Sequence, residues 1–548
     1  MVIISTGLFG CRSVVREMDD YLNAAHEHWG FEGTVLVAYK DHVILKKGYG
    51  KANQVMDIAN TPQTKFFIGS ITKQFTAAAI LKLQEKGLLS VTDTISTYLP
   101  DFPRDIADRI TIHQLLTHTS GLPNYTDSPE ILLRRTTAIK ADDLYDFIRH
   151  QSLEFIPGTQ FKYSNSGYIL LGEIIRRVSG QSYEAFLHNE ILKPAEMHNS
   201  GYARREAGLP DRAVGYTTES GGQLVTAPMI HFSVLHTAGA LYSTVEDMLK
   251  WDVALHSGKI LSDSSLAMMF TPYTGFYGYG WYIDELYGHP HVFHTGLLDG
   301  FNTIIDRWTD DQLTIIVFSN DDNAPVDKIA HGLARIAFRM PYDFPFKKKP
   351  IPYNLAALLG YEGVYQSGSE QYRIVTAFED ELYTYNYGDE HQKLLQQAPD
   401  TFFFDFDNTQ LIVFRRDRDK LVNGLLYINE GVQVPAGKLN DIQAAGFIIH
   451  KEHVELTEDE LHRFVGQYQS IGDESGAVQL TLNIEPGTYN SLIAVFDRER
   501  VEVYPYSETE FSHQAADFLL TFIVDDFGLV TGCTITLGGR KVLLQKVS

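Results

Sequence analysis

The chain is poor in cysteine, in basic charge and in long apolar runs, and each shortage removes a class of function. Two cysteines occur in 548 residues, Cys11 and Cys533 near opposite ends, so neither a disulfide framework nor a cysteine-rich metal site can be assembled. Against 69 acidic side chains stand 46 basic ones, a formal charge of −23. Such a surface repels phosphate backbones and anionic lipid heads, which argues against nucleic acid as a partner. No run approaches the ~18 apolar residues that a membrane span requires. The opening MVIISTGLFGC carries an apolar run of about signal-segment length but lacks the basic flank that precedes one. It reads either as the stub of a lipoprotein signal, with a lipid anchor on Cys11, or as a frayed terminus with a free thiol. Neither H-E-x-x-H nor G-x-S-x-G occurs, which disfavours zinc and nucleophile-elbow hydrolases and leaves no cofactor or metal expected.

What is present divides along the chain. At this length two or three hydrophobic cores are expected. A helix is predicted from about Ser13 to Trp29, followed by an antiparallel hairpin in GTVLVAYKDHVILKKGYG. A mostly helical region leads to HVFHTGLLDGFNTIIDRWTDDQLTIIVFSN, which reads as successive strands broken at LLDG and TDD. Strands at both ends with helices between predict one α/β unit over 13–345, its sheet joining early and late chain. FKKKPIPY marks a linker at 346–353. Beyond it, 354–452 and 453–548 look like related halves, because LLGYEGVYQS and RFVGQYQS stand at similar distances from the start of each. Short alternating strands in both predict two small antiparallel β-barrels, with a single large sandwich as the alternative.

Chemistry enters at FIGSITKQF, residues 67–75, where Ser70 and Lys73 stand three apart and share a helix face. A serine hydroxyl needs a base within reach to become a nucleophile, and a lysine supplies one when desolvation favours its neutral form. A helix-start serine can also turn its backbone N–H toward a developing oxyanion. Alone, the pair has a bland reading as a cap and a surface charge, and a chain this long holds roughly one or two such pairs by chance. Two later motifs change the balance. FKYSNSGYILLGEIIRRVSG sets Tyr163, Ser164 and Asn165 before an apolar helix, and HTG sets His294, Thr295 and Gly296 in the late strand region. His113 and His118 in ITIHQLLTHTSGL read as turn braces, and TGFYGYGWY at 274–282 reads equally as pocket lining or packed strand.

The order S-x-x-K, Y-x-N, H-T-G resembles the serine penicillin-recognising enzymes, and within them the group of class C β-lactamases, DD-peptidases, D-aminopeptidases and esterases. The likeness extends to flanking text such as AGALYSTVEDMLKWDVAL and covers about 14–340. It implies a β-lactamase/DD-peptidase-like catalytic domain, an antiparallel sheet flanked by helices. The trailing barrels would be lipocalin-like, as in D-aminopeptidases. It further implies that Ser70 is acylated, that Lys73 takes its proton and that Tyr163 relays a proton to the leaving group. Asn165 would bond the substrate amide, and the backbone N–H groups of Ser70 and of Leu297, beside Thr295 and Gly296, would form the oxyanion hole. His294 departs from the lysine of many β-lactamases, so it is expected to titrate near neutrality and to tie the rate to pH, with efficient β-lactam hydrolysis disfavoured.

The expected function is therefore a serine hydrolase acting through an acyl-enzyme on a small amide or short peptide containing D-residues. The alternatives are an esterase, DD-carboxypeptidase or weak β-lactamase on the same scaffold, and a binding protein that has lost turnover. The resemblance also implies a bacterial protein exported to the periplasm or cell surface; the oligomeric state is open.

Overall fold

The computed structural model describes residues 7–548 apart from 133, 204–208, 219–223, 347, 369–370, 379–380, 387–391, 406–409, 430–431, 441–442, 444–453, 455, 471–480, 488–490, 497–498, 513–517, 526–527, 538–539 and 548. The side chains of 7–12 also lie outside the description, and with them the thiol of Cys11. Two compact units emerge, 1–126 with 135–346, and 127–134 with 347–548. Among the described residues no helix is long and apolar enough to cross a membrane, and no group of three or more His, Cys, Asp or Glu could hold a metal ion.

The first unit is built on six strands. These are β1 (Gly33–Tyr39), β2 (His42–Tyr49), β3 (Tyr282–Leu286), β4 (His289–Leu298), β5 (Phe301–Trp308) and β6 (Leu313–Ser319). They form one sheet in the order β3-β4-β5-β6-β1-β2, antiparallel at every step. The pairing of β1 with β6, from Gly33↔Ser319 to Tyr39↔Leu313, closes early chain onto late chain. Both β1 and β6 are buried along almost their whole length, which explains their continuous runs of β-branched and aromatic residues.

Among the helices of this unit, α1 (Gly7–Trp29), α5 (Val245–His256) and α6 (Val326–Phe338) pack on the sheet, and α2 (Thr72–Glu85), α3 (Asn165–Ser179) and α4 (Phe232–Gly239) pack on one another beside Ser70. Met18 and Leu22 of α1 and Ile329 and Leu333 of α6 pack with Val35 and Val317 of the sheet into one core. On α5, the buried Asp252 accepts from Arg307 and, at 2.8 Å, from Thr314 Oγ1, which ties that helix to β5 and β6. Helix α2 is the hub of the helical region. Eleven of its residues are buried, so it needs no polar face, and three consecutive alanines let its neighbours approach closely. Phe75 stacks on Trp251 at 4.3 Å, and Gln74 Oε1 accepts from Trp251 Nε1.

The second unit contains two closed eight-stranded barrels, spanning Gly363–Lys438 and Gly466–Lys546, and not the single sandwich held as an alternative. The internal repeat has a physical basis. Each barrel opens on a glycine at positive φ, Gly363 at 148° and Gly466 at 145°, a conformation that glycine adopts without steric cost. Two residues on, Tyr365 and Tyr468 are fully buried and donate to the carbonyls of Tyr361 and Phe464 at 2.6 and 2.7 Å. Those two aromatics stack against Phe414 and Phe522 at 4.5 Å. Both barrel interiors are filled by aromatic and aliphatic side chains, among them the buried Cys533.

Candidate active site

Ser70 lies in a short 3₁₀ turn, Gly69–Ile71, that runs into α2 and so delivers Lys73 one turn later. Lys73 is fully buried. Its Nζ stands 2.9 Å from Ser70 Oγ, 2.8 Å from Asn165 Oδ1 and 3.0 Å from the Ala238 carbonyl. It also lies 4.8 Å from the centre of the Tyr163 ring and 5.5 Å from that of Tyr168. Burial pushes its pKa well below the ordinary lysine range, and among the described residues no carboxylate counters it. A neutral amine has two N–H donors and one lone pair. Asn165 Oδ1 and the Ala238 carbonyl can only accept, so they take both N–H groups, and the lone pair is left for the Ser70 hydroxyl.

The Tyr163 phenol faces the Ser70 side chain, and desolvation raises its pKa well above the usual range, so it stays protonated and neutral. Asn165, the first residue of α3, accepts from Lys73 through Oδ1 and donates through Nδ2 to Thr126 Oγ1 at 3.2 Å. One Nδ2 hydrogen remains for a further acceptor. Sequence reading missed the Ala238 carbonyl. It is presented at the end of α4, where His236 takes φ 40° and ψ −129° and breaks the helix, and a backbone carbonyl leaves no residue signature to read.

The third motif meets the first through two glycines. A Cβ on Gly296 would sit 2.0 Å from the Ile68 carbonyl and 2.5 Å from Thr303 Oγ1. A Cβ on Gly69, at φ +49°, would sit 3.1–3.2 Å from Gly296 and Leu297 backbone. The turn bearing Ser70 therefore lies directly on β4. Leu298 and Phe301 close the two-residue turn between β4 and β5. Antiparallel alternation then aims the N–H and C=O of Leu297 and Thr295 away from β5, on a stretch of β4 that extends past its last pairing with β3 at Phe293. The Leu297 side chain is 63% exposed. Thr295 participates through its carbonyl, which accepts from His294 Nδ1 at 2.7 Å.

His294 differs from expectation. It is buried, and desolvation together with the nearby Lys73 lowers its pKa from 6.5 to about 3. It therefore stays neutral between pH 5 and 8, and its ionisation cannot set a rate there. Its other nitrogen, Nε2, is 3.1 Å from Tyr277 Oη. Both nitrogens are thus engaged inside the protein, and its ring centre is 6.4 Å from that of Tyr163. His118, read from sequence as a brace, stacks at 4.2 Å on Tyr163 and accepts from the Ser164 backbone N–H at 3.1 Å.

The cluster of a buried lysine with a partly exposed serine and tyrosine, set against an antiparallel sheet, is that of a serine hydrolase. A family model described as beta-lactamase matches residues 18–338, more than half of the chain, and the chain belongs to that family. PbpX of Bacillus subtilis (strain 168), assigned to the penicillin-binding proteins, is 38% identical over 54% of this chain and 72% of its own. Penicillin-binding protein 4* of the same organism is 29% identical over 68% of this chain and 88% of its own. The solved octameric penicillin-binding protein homologue from Pyrococcus abyssi is 23% identical and superposes with a TM-score of 0.56 over 89% of this chain and 99% of its own. That likeness is one of fold, and it extends beyond the catalytic unit into the barrels.

This geometry has two measurable outcomes. Gly296→Ala forces the Ser70 turn off β4, so kcat/KM should fall roughly 100-fold while the fold persists, since a misplacement of ~1 Å can cost that much. Steady-state kinetics with a matching thermal melt checks it. The depressed pKa of His294 means that below pH 6.5 the unfolded chain binds a proton that the folded chain refuses. Stability is therefore lost as pH falls from 6.5 toward about 3. His294→Gln should lose less Tm than the wild type between pH 7 and pH 5, a gap of about 2 kcal/mol, measurable by calorimetry at both pH values.

Proposed function

We propose that this serine hydrolase forms an acyl-enzyme at Ser70 and acts on a small amide or short peptide of a D-residue that carries no carboxylate beside the scissile bond. The donor count at Lys73 carries the reading. Ser70 passes its proton to the Lys73 lone pair as Oγ attacks the substrate carbonyl carbon. The oxyanion is met by the backbone N–H groups of Ser70 and Leu297. Tyr163 gives its phenolic proton to the departing amine and regains one from the Lys73 ammonium, so proton and charge balance over acylation. Water then attacks the acyl carbon by the reverse route, releasing the acid and Ser70. Asn165 offers its remaining Nδ2 hydrogen to the substrate, and the β4 backbone groups of Thr295 and Leu297 that face away from β5 align it.

The exclusion of carboxylate rests on charge. Among the described residues, those that act electrostatically on Lys73, Tyr163, His118, Tyr277 and His294 are one another, Tyr168 and Tyr282. No guanidinium and no second ammonium is among them, and His294 is neutral where a lysine would be cationic. This favours an amide or ester over a peptide with a C-terminal carboxylate or a β-lactam. The D-residue preference is supported by the two barrels, which follow the D-aminopeptidase plan. An esterase is the second reading, because a neutral site accepts an ester as readily as an amide.

The test compares D-alanine amide, D-alanine methyl ester and N-acetyl-D-Ala-D-Ala, with Ser70→Ala as the blank. The amide and ester should exceed the carboxylate peptide by at least roughly 10-fold in kcat/KM, and Ser70→Ala should abolish all turnover. A preference for the carboxylate peptide would overturn the reading.

A further inference from the structure

A chain of hydrogen bonds links the second motif to the third through a residue that belongs to neither. His118 Nδ1 faces the Ser164 N–H at 3.1 Å, and its Nε2 lies 3.2 Å from Tyr277 Oη. Tyr277 Oη lies 3.1 Å from His294 Nε2, and His294 Nδ1 lies 2.7 Å from the Thr295 carbonyl. All three side chains are at most 1% exposed, so bulk solvent does not reach them.

The two backbone groups at the ends fix every proton between them. The Ser164 N–H can only donate, so His118 Nδ1 is unprotonated and its proton sits on Nε2, pointing at Tyr277. The Thr295 carbonyl can only accept, so His294 carries its proton on Nδ1 and its Nε2 must receive one. Among the described residues Tyr277 is the group that stands between them, and it accepts from His118 while donating to His294. Tyr168 Oη is also within reach of Tyr277, but it donates to the Leu116 carbonyl at 3.0 Å and meets the Gly280 backbone N–H, so it does not need the Tyr277 proton. An imidazolium at His294 would meet both of its contacts. It would also bury a cation facing Lys73 of α2, Tyr163, Tyr277 and Tyr282, with no carboxylate among them.

We propose that Tyr277 is a positioning residue that locks His294 as the Nδ1–H tautomer and, through the Thr295 carbonyl, holds the β4 edge that presents the Leu297 N–H to the oxyanion. The same hydroxyl holds His118 against Ser164, so the segment carrying Tyr163 and Asn165 and the strand carrying Leu297 are set by one phenol. This rests on the oxyanion role given to Leu297, but the tautomers themselves do not.

The experiment uses the full chain labelled with ¹⁵N in its histidine rings, with His118→Gln and His294→Gln assigning the two rings. In the wild type, His294 should show a protonated Nδ1 and bare Nε2, and His118 the reverse. Tyr277→Phe should shift the His294 pattern toward mixed tautomers and lower kcat on the ester roughly 10- to 100-fold, with KM within about 2-fold. A wild-type His294 protonated on Nε2 overturns the proposal even if the variant fails to fold. So does a Tyr277→Phe protein with unchanged tautomer and kcat. Should the ester resist turnover altogether while the tautomers are as stated, the functional reading fails and the lock stands.

Discussion

Everything in the site depends on one fully buried lysine that has no acid partner. Taking an ammonium out of water without a counter-charge is costly, which drives the group toward its neutral form. Two obligate acceptors, Asn165 Oδ1 and the Ala238 carbonyl, then orient the neutral amine, and its lone pair has one place left to point. On the proposed mechanism the serine needs no separate base, because the electrostatics of burial prepare one. Placing a carboxylate nearby would stabilise the ammonium and remove the base, which gives a physical reason for a site walled by tyrosines and neutral histidines.

The scaffold serves that constraint. The sheet joins β1 to β6, so that chain segments more than two hundred residues apart meet with Ser70 lying on β4. Close approach at Gly69 and Gly296 is what makes this possible, since a methyl group at Gly296 would collide with the Ile68 carbonyl. Helix α2 is buried along most of its length, Lys73 included, and it is held by Trp251 of α5, through Phe75 and Gln74, and by Thr76 Oγ1 donating to the Thr237 carbonyl of α4 at 2.7 Å. His236, held at a backbone conformation that non-glycine residues rarely adopt, turns the Ala238 carbonyl inward.

Much of this was legible in the sequence. The three motifs named Ser70, Lys73, Tyr163 and Asn165, which the fold brings together, and the β-branched hairpin and late strands gave the sheet. The barrels were readable because alternation and a repeated glycine–tyrosine pair both follow from local geometry. Three things were not legible. The Ala238 carbonyl carries no side-chain signature. Tyr277 sits in an aromatic, glycine-rich stretch that reads equally as pocket or packing, and its role follows only from the partners at either end of a hydrogen-bond chain. The titration of His294 near neutrality was expected because sequence shows a residue's ordinary pKa, whereas burial and the proximity of Lys73, which lower it, are tertiary facts.

The most direct measurement is the ionisation of Lys73 itself, read from its ε-carbon and attached protons by NMR on lysine-labelled protein across pH 5 to 10, with the resonance assigned by Lys73→Met. The account predicts chemical shifts of a neutral amine at pH 7. An ammonium that persists above pH 9 would contradict it, because the lone pair assigned to the Ser70 hydroxyl would then not exist.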